Sequence, residues 1–94
     1  MIDNLQEINV LRAKYGYSAA KGVSEARRRR AMTWALQDLR LEYIVNMISG
    51  HVRLRKRQND PKWDECISKW ESDLDWLRRE YYLRDGHWFF WPDY

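Results

Sequence analysis

From Trp63 onward, Trp63, Ile67, Trp70, Leu74, Leu77 and Tyr81 recur at spacings that alternate between four and three. That alternation holds side chains on one stripe of an α-helix and does not fit the two-residue repeat of a half-buried strand. Just before it, Asn59-Asp60-Pro61 supplies a capping residue and a proline at the first helical position, where no amide hydrogen is needed. The stripe lasts nearly three heptads, enough for an antiparallel hairpin and short for a free coiled coil. A helix is therefore predicted over about 61–85, with Gly86 as its stop. It must find its apolar partner earlier in the chain.

The partner is a second helix predicted over about 24–57, with Ser24 as N-cap and Glu25 in its first turn. Met32, Ala35, Leu36, Leu39, Tyr43 and Met47 share one face. Trp34, Leu41, Val45 and Ile48 share a roughly opposite one. A helix apolar on two faces is a central helix. Val52 and Leu54 extend the stripes past Gly50, so continuation to about Arg57 is expected, with Arg53, Arg55, Lys56 and Arg57 favourably placed at the negative end of the dipole. A third, short helix is predicted over about 4–15, capped by Asp3 and Gln6, stopped by Gly16, and carrying Leu5, Ile8, Leu11 and Tyr15 on one face. The expected fold is all-α: a long antiparallel hairpin with a short N-terminal helix docked on it, bundle-like, in one domain over 1–94. A tight turn at 58–60 would bring Trp70 near Ile48, Leu74 near Ile44 and Leu77 near Leu41.

Charge is unevenly distributed. Residues 1–58 carry twelve Lys/Arg against five Asp/Glu, a net +7, and residues 59–94 carry five against nine, a net −4. Either the basic half meets an external anion or the halves meet each other. In the hairpin, Asp64 and Glu65 return toward Arg53–Arg57, and Asp85 and Asp93 return toward Arg27–Arg30.

Chemistry has little to build on. Cys66 is the single thiol and cannot form an internal disulfide, which fits a reducing compartment. Beside the apolar stripe it reads as a small core residue. His51 and His87 are isolated, no spacing resembles a zinc site, and no glycine-rich phosphate loop is present. Glu71, Asp73 and Asp75 diverge around the helix axis and read as a solvated face. No catalytic residue, no cofactor, no metal ligand and no small-molecule substrate is expected. No run approaches the roughly 18 apolar residues of a membrane span, and the first residues lack a secretion signal. A cytoplasmic protein is expected, in a host cytoplasm if it is phage-encoded.

Two binding readings remain. Arg27, Arg28, Arg29 and Arg30 form a dense block in the first turns of a helix, where positive charge opposes the dipole and calls for compensation. The stretch Leu11-Arg12-Ala13-Lys14-Tyr15-Gly16-Tyr17-Ser18 resembles the entry to a helix-turn-helix, but Arg12 stands at a small-residue position and Gly22 where a buried aliphatic belongs. A second register, through Gly22-Val23-Ser24, buries Arg28 instead. With Arg53, Arg55, Lys56 and Arg57 as a second cluster, a DNA- or RNA-binding regulator is the alternative expectation. The two clusters would stand ~40 Å apart on a continuous helix.

The preferred expectation rests on surplus apolar surface. Six Trp, six Tyr and two Phe are many for so short a chain. Trp76 and Leu83 point away from the heptad stripe, and a first helix only ~20 Å long leaves Trp34, Val45 and Ile48 incompletely covered. Trp88 and Trp91 lie in an aromatic tail over 87–94 that is either a further contact surface or a cover for Trp76 and Leu83. These residues make the expected contact set for a larger protein or a second copy of the chain. In size, missing chemistry and aromatic density the chain resembles, in type only, the accessory proteins of bacteriophages and mobile elements, some of which block host machinery. That resemblance implies an adaptor or inhibitor.

Overall fold

The chain is all-α as the stripes predict, but four α-helices are present among the described residues, because the predicted second helix is divided. The computed structural model describes residues 4–85 and 89–94, with side chains from Val10 onward. Within them α1 spans Asn4–Tyr15, α2 Glu25–Ala35, α3 Leu41–Gln58 and α4 Asp64–Leu77, and no strand is present among the described residues. Gly16 ends α1 at φ +76°, a left-handed conformation that favours glycine, and its N–H donates to the Arg12 carbonyl at 3.0 Å. Asp3 lies outside the described residues, as do the side chains of Leu5, Gln6 and Ile8 proposed for this helix.

The expected continuous helix over 24–57 is broken. Leu36–Arg40 separate α2 from α3: the amides of Leu36 and Leu39 still donate to Met32 and Ala35, at 2.9 and 2.8 Å, and Arg40 then turns extended. No glycine or proline marks this break in the sequence. A tertiary contact reaches it, the Tyr15 hydroxyl donating to Asp38 Oδ2 at 2.9 Å. The break lets α2 fold back against α1 and α4 instead of projecting beyond the hairpin.

α3 is the central helix that its two stripes predict, and it runs through Gly50 to Gln58. Ile44, Val45, Met47, Ile48 and Val52 are fully buried, packed in one core with Leu11, Met32, Ala35, Leu74 and Leu77. Asn59 closes α3 in the left-handed region at φ 51°. The Asp60 carboxylate then accepts from the Lys62 amide at 3.1 Å, starting a 3-10 turn over Pro61–Trp63 that leads into α4. Arg55 lies over Trp63 and His51 meets Trp70 edge-on, so α3 and α4 run antiparallel as expected.

α4 does not hold its register to residue 85. A π-helical stretch, Arg78–Tyr82, inserts an extra residue in the turn, with the Leu83 amide reaching the Arg78 carbonyl at 2.9 Å. The heptad stripe is therefore displaced at its end: Tyr82 is buried, and Tyr81 only half-buried. Gly86, the expected stop, lies outside the described residues.

Candidate interaction surface

The four-arginine block divides according to helix face. Ser24 caps α2, its Oγ accepting from the Arg27 amide at 3.1 Å, and this fixes the rotation of the first turn. Arg28 stands four residues before Met32 and turns inward with it, only 5% exposed. Its Nε donates to Asp73 Oδ2 at 2.8 Å and its Nη1 to the Val23 carbonyl at 3.1 Å. The hydroxyl of the buried Tyr17 donates to the same Asp73 oxygen at 2.7 Å. Asp73, expected on a solvated face, is 1% exposed. It lies three residues after Trp70 and four before Leu77, on the buried stripe itself. Burial raises the Asp73 pKa, outweighing the opposing hydrogen bonds from Arg28 and Tyr17. Burial, reinforced by the charge of Asp73, also raises Tyr17 well above the ordinary tyrosine value. This buried trio clamps the 16–24 loop and α2 onto α4.

Other cations are likewise engaged within the molecule. Arg29 pairs with Glu25 and lies over the Trp76 ring at 5.5 Å. Arg53 donates to the Asp93 carbonyl at 2.7 Å. Arg55 is 3.8 Å from the Trp63 centroid and donates to Gln58. Lys56 pairs with Glu71 at 2.9 Å and donates to the main-chain oxygen of Tyr94. Asp93 thus meets α3, and among the described residues neither Asp85 nor Asp93 forms the expected ion pair with Arg27–Arg30. Glu65, expected near Arg53–Arg57, pairs with Lys69 on its own helix. Within the two basic clusters, Arg27, Arg30 and Arg57 have no ion pair, side-chain hydrogen bond or ring contact among the described residues.

The expected contact residues separate in the same way. Val45 and Ile48 are fully buried and belong to the core, in one cluster with Tyr17 and Ala19 of the loop after α1. Trp76 is half-buried between Arg29 and the edge of Tyr81. Trp91 is half-buried against Tyr82 and Phe89, and its Nε1 donates to the Tyr94 hydroxyl at 3.2 Å. Trp88 lies outside the described residues. Leu83 remains open at 51% exposure and Trp34 at 56%, joined by Phe90, which the sequence reading had not singled out.

Trp34 is the exposed aromatic with a built setting. Its ring meets Tyr15 edge-on at 5.7 Å, and the two border a groove of about 370 Å³ completed by Gly16, Arg27, Arg30 and Ala31. Arg27, Arg30 and Trp34 follow each other at helical spacings of three and four on α2, a pattern readable in the sequence once the block is divided by face. Tyr15 could not be placed there from sequence, because its neighbour depends on how α1 crosses α2. The nine-residue connection between α1 and α2 exceeds the three- to four-residue turn of a helix-turn-helix.

Comparison with family models, curated proteins and solved structures returned no match for this chain. No described helix is long and apolar enough to cross a membrane.

Proposed function

We propose that this protein is a non-catalytic interaction protein, an adaptor or inhibitor, that docks an acidic surface of a larger protein into the Trp34 groove. The observation that carries this reading is Trp34 itself, over half exposed and sharing its groove with two arginines that have no acidic partner among the described residues. A large indole flanked by guanidinium groups is the composition that dominates binding energy in protein interfaces. Charge complementarity selects the occupant: carboxylates for Arg27 and Arg30, and an apolar side chain against Trp34 and Tyr15.

The test uses Trp34→Ala and Arg30→Glu side by side with wild type. Both positions are exposed, so the urea midpoints should move little. A partner captured by wild type from source cells should bind Trp34→Ala weaker by at least ~2 kcal/mol. Its affinity should fall with added salt and be lost with Arg30→Glu. Retention by both variants would sink the proposal.

The second reading, nucleic-acid binding, draws on the same groove, since a base can stack on Trp34 while Arg27 and Arg30 meet phosphates. The two basic clusters leave it few free cations, because Arg28, Arg29, Arg53, Arg55 and Lys56 are engaged within the molecule. A single-stranded oligonucleotide held tightly at 0.15 M salt and released by Trp34→Ala would put this reading first. Its log-affinity against log-salt slope should then approach about −0.7 per phosphate contact.

A further inference from the structure

A second concavity, of about 230 Å³, opens between α1, the loop after it, α3 and α4. It shares no lining residue with the Trp34 groove. Trp63, Trp70, Tyr17 and His51 give it aromatic walls, and Arg12 and Arg55 bring it positive charge, with no carboxylate in the lining. Arg12 is exposed and has no ion-pair partner among the described residues. Arg55 is held in place by Trp63 on one side and Gln58 on the other, while its Nε is shut from solvent with no acceptor among the described residues. Lys69 stands close by, donating to the Ala19 and Ala20 carbonyls at 3.5 and 3.2 Å.

We propose that this cavity binds a small anion carrying a single aromatic ring, an aryl carboxylate or an aryl phosphate. Size, walls and charge each restrict the ligand. A dry cavity of roughly 150 Å³ already admits benzene, so this one has room for a ring and an acidic substituent. The indoles offer the ring faces and edges to pack on. A guanidinium fork matches carboxylate and phosphate oxygens equally well. Arg55 is pre-positioned by its stacking, so little side-chain freedom is lost when the anion enters.

Titration of ¹⁵N-labelled protein with phenylacetate and phenyl phosphate tests the assignment, with phenylacetamide as the neutral control and acetate and inorganic phosphate as ringless ones. At least one aryl anion should shift the indole N–H signals of Trp63 and Trp70 while leaving that of Trp34 in place. The neutral and ringless probes should bind at least tenfold more weakly. Arg12→Gln should weaken the aryl anion at least tenfold, and Ala20→Phe should exclude it by placing a ring at the rim. Both positions are exposed, and thermal unfolding verifies that both variants fold. Equal binding of phenylacetamide, undiminished binding by folded Arg12→Gln, or shifts confined to other indoles would overturn the proposal. Preference for phosphate over carboxylate in the two aryl arms identifies the acidic group.

Discussion

Asp73 takes two donors on a single oxygen, Oδ2, and its other oxygen has no hydrogen-bond partner among the described residues. A carboxylate removed from water and only half satisfied is costly to bury, and removing its counter-charge is costlier still. Asp73→Ala leaves the Arg28 guanidinium buried without its ion pair, and should cost about 3–5 kcal/mol in a urea titration. Asp75→Ala, two residues along and exposed, removes a surface pair with Arg79 and should cost under about 1 kcal/mol. Equal losses would mean that Asp73 is solvated.

Tyr17 provides a separate readout in pH. Its folded-state pKa is raised, first by burial and then by the Asp73 charge. Below about pH 10 the residue is neutral in both folded and unfolded chains, and its hydrogen bond contributes in full. Above that pH only the unfolded chain can release the proton, so stability is lost as pH climbs toward the folded-state value. The stability difference between wild type and Tyr17→Phe should therefore shrink by about 1.4 kcal/mol per pH unit above about pH 10. A difference that stays constant to pH 11.5 would show that Tyr17 ionises freely in the fold.

At the level of elements, the break between α2 and α3 sets the layout. Leu36–Arg40 contain no residue that disfavours a helix strongly, so the interruption has to be supplied from outside the segment. The Tyr15–Asp38 hydrogen bond is one such contact. A double-mutant cycle on Tyr15→Phe and Asp38→Ala should give a coupling of about 0.5–1.5 kcal/mol; zero coupling would remove this contact as the tie. The α3 and α4 stripes, the central place of α3 and the Asp60-Pro61 start were legible because local spacing and capping encode them. The break was not, because no residue of the segment encodes it and the contact that reaches it comes from α1, twenty-three residues away. Arg28 and Asp73 fall between these cases. Their spacing to Met32 and to Trp70 and Leu77 put both on buried faces, but their charge argued for solvent, and only the pairing of the two resolves that conflict. Trp34 was legible as a surplus aromatic, whereas the burial of Val45 and Ile48 depended on tertiary packing that the length of α1 alone does not set.

For the whole molecule, the break exchanges length for thickness. A continuous helix over 24–57 would be about 51 Å long at 1.5 Å per residue. The observed body measures 36 × 27 × 25 Å, with a Cα radius of gyration of 12.6 Å. That agrees with the roughly 12.4 Å expected of a globular chain of this length. Segment 89–94 contributes to the compact form by tying the far end of the chain to α3 through Arg53 and Lys56, and to Tyr82 through Phe89 and Trp91. Small-angle X-ray scattering tests this arrangement directly. A rod about 51 Å long has a radius of gyration near 15 Å from its length alone, and the thickness of a hairpin adds to that. The monomer should instead scatter with a radius within about 1–2 Å of the Cα value, the excess coming from side chains and hydration. A concentration series separates self-association, which raises the radius and the forward scattering together, from an open helix, which raises the radius at constant forward scattering per unit mass. A monomer radius above about 16 Å would mean that α2 and α3 are one rod in solution. The inward turn of Arg28 onto Asp73 would then be lost, along with the groove that Trp34 shares with Tyr15.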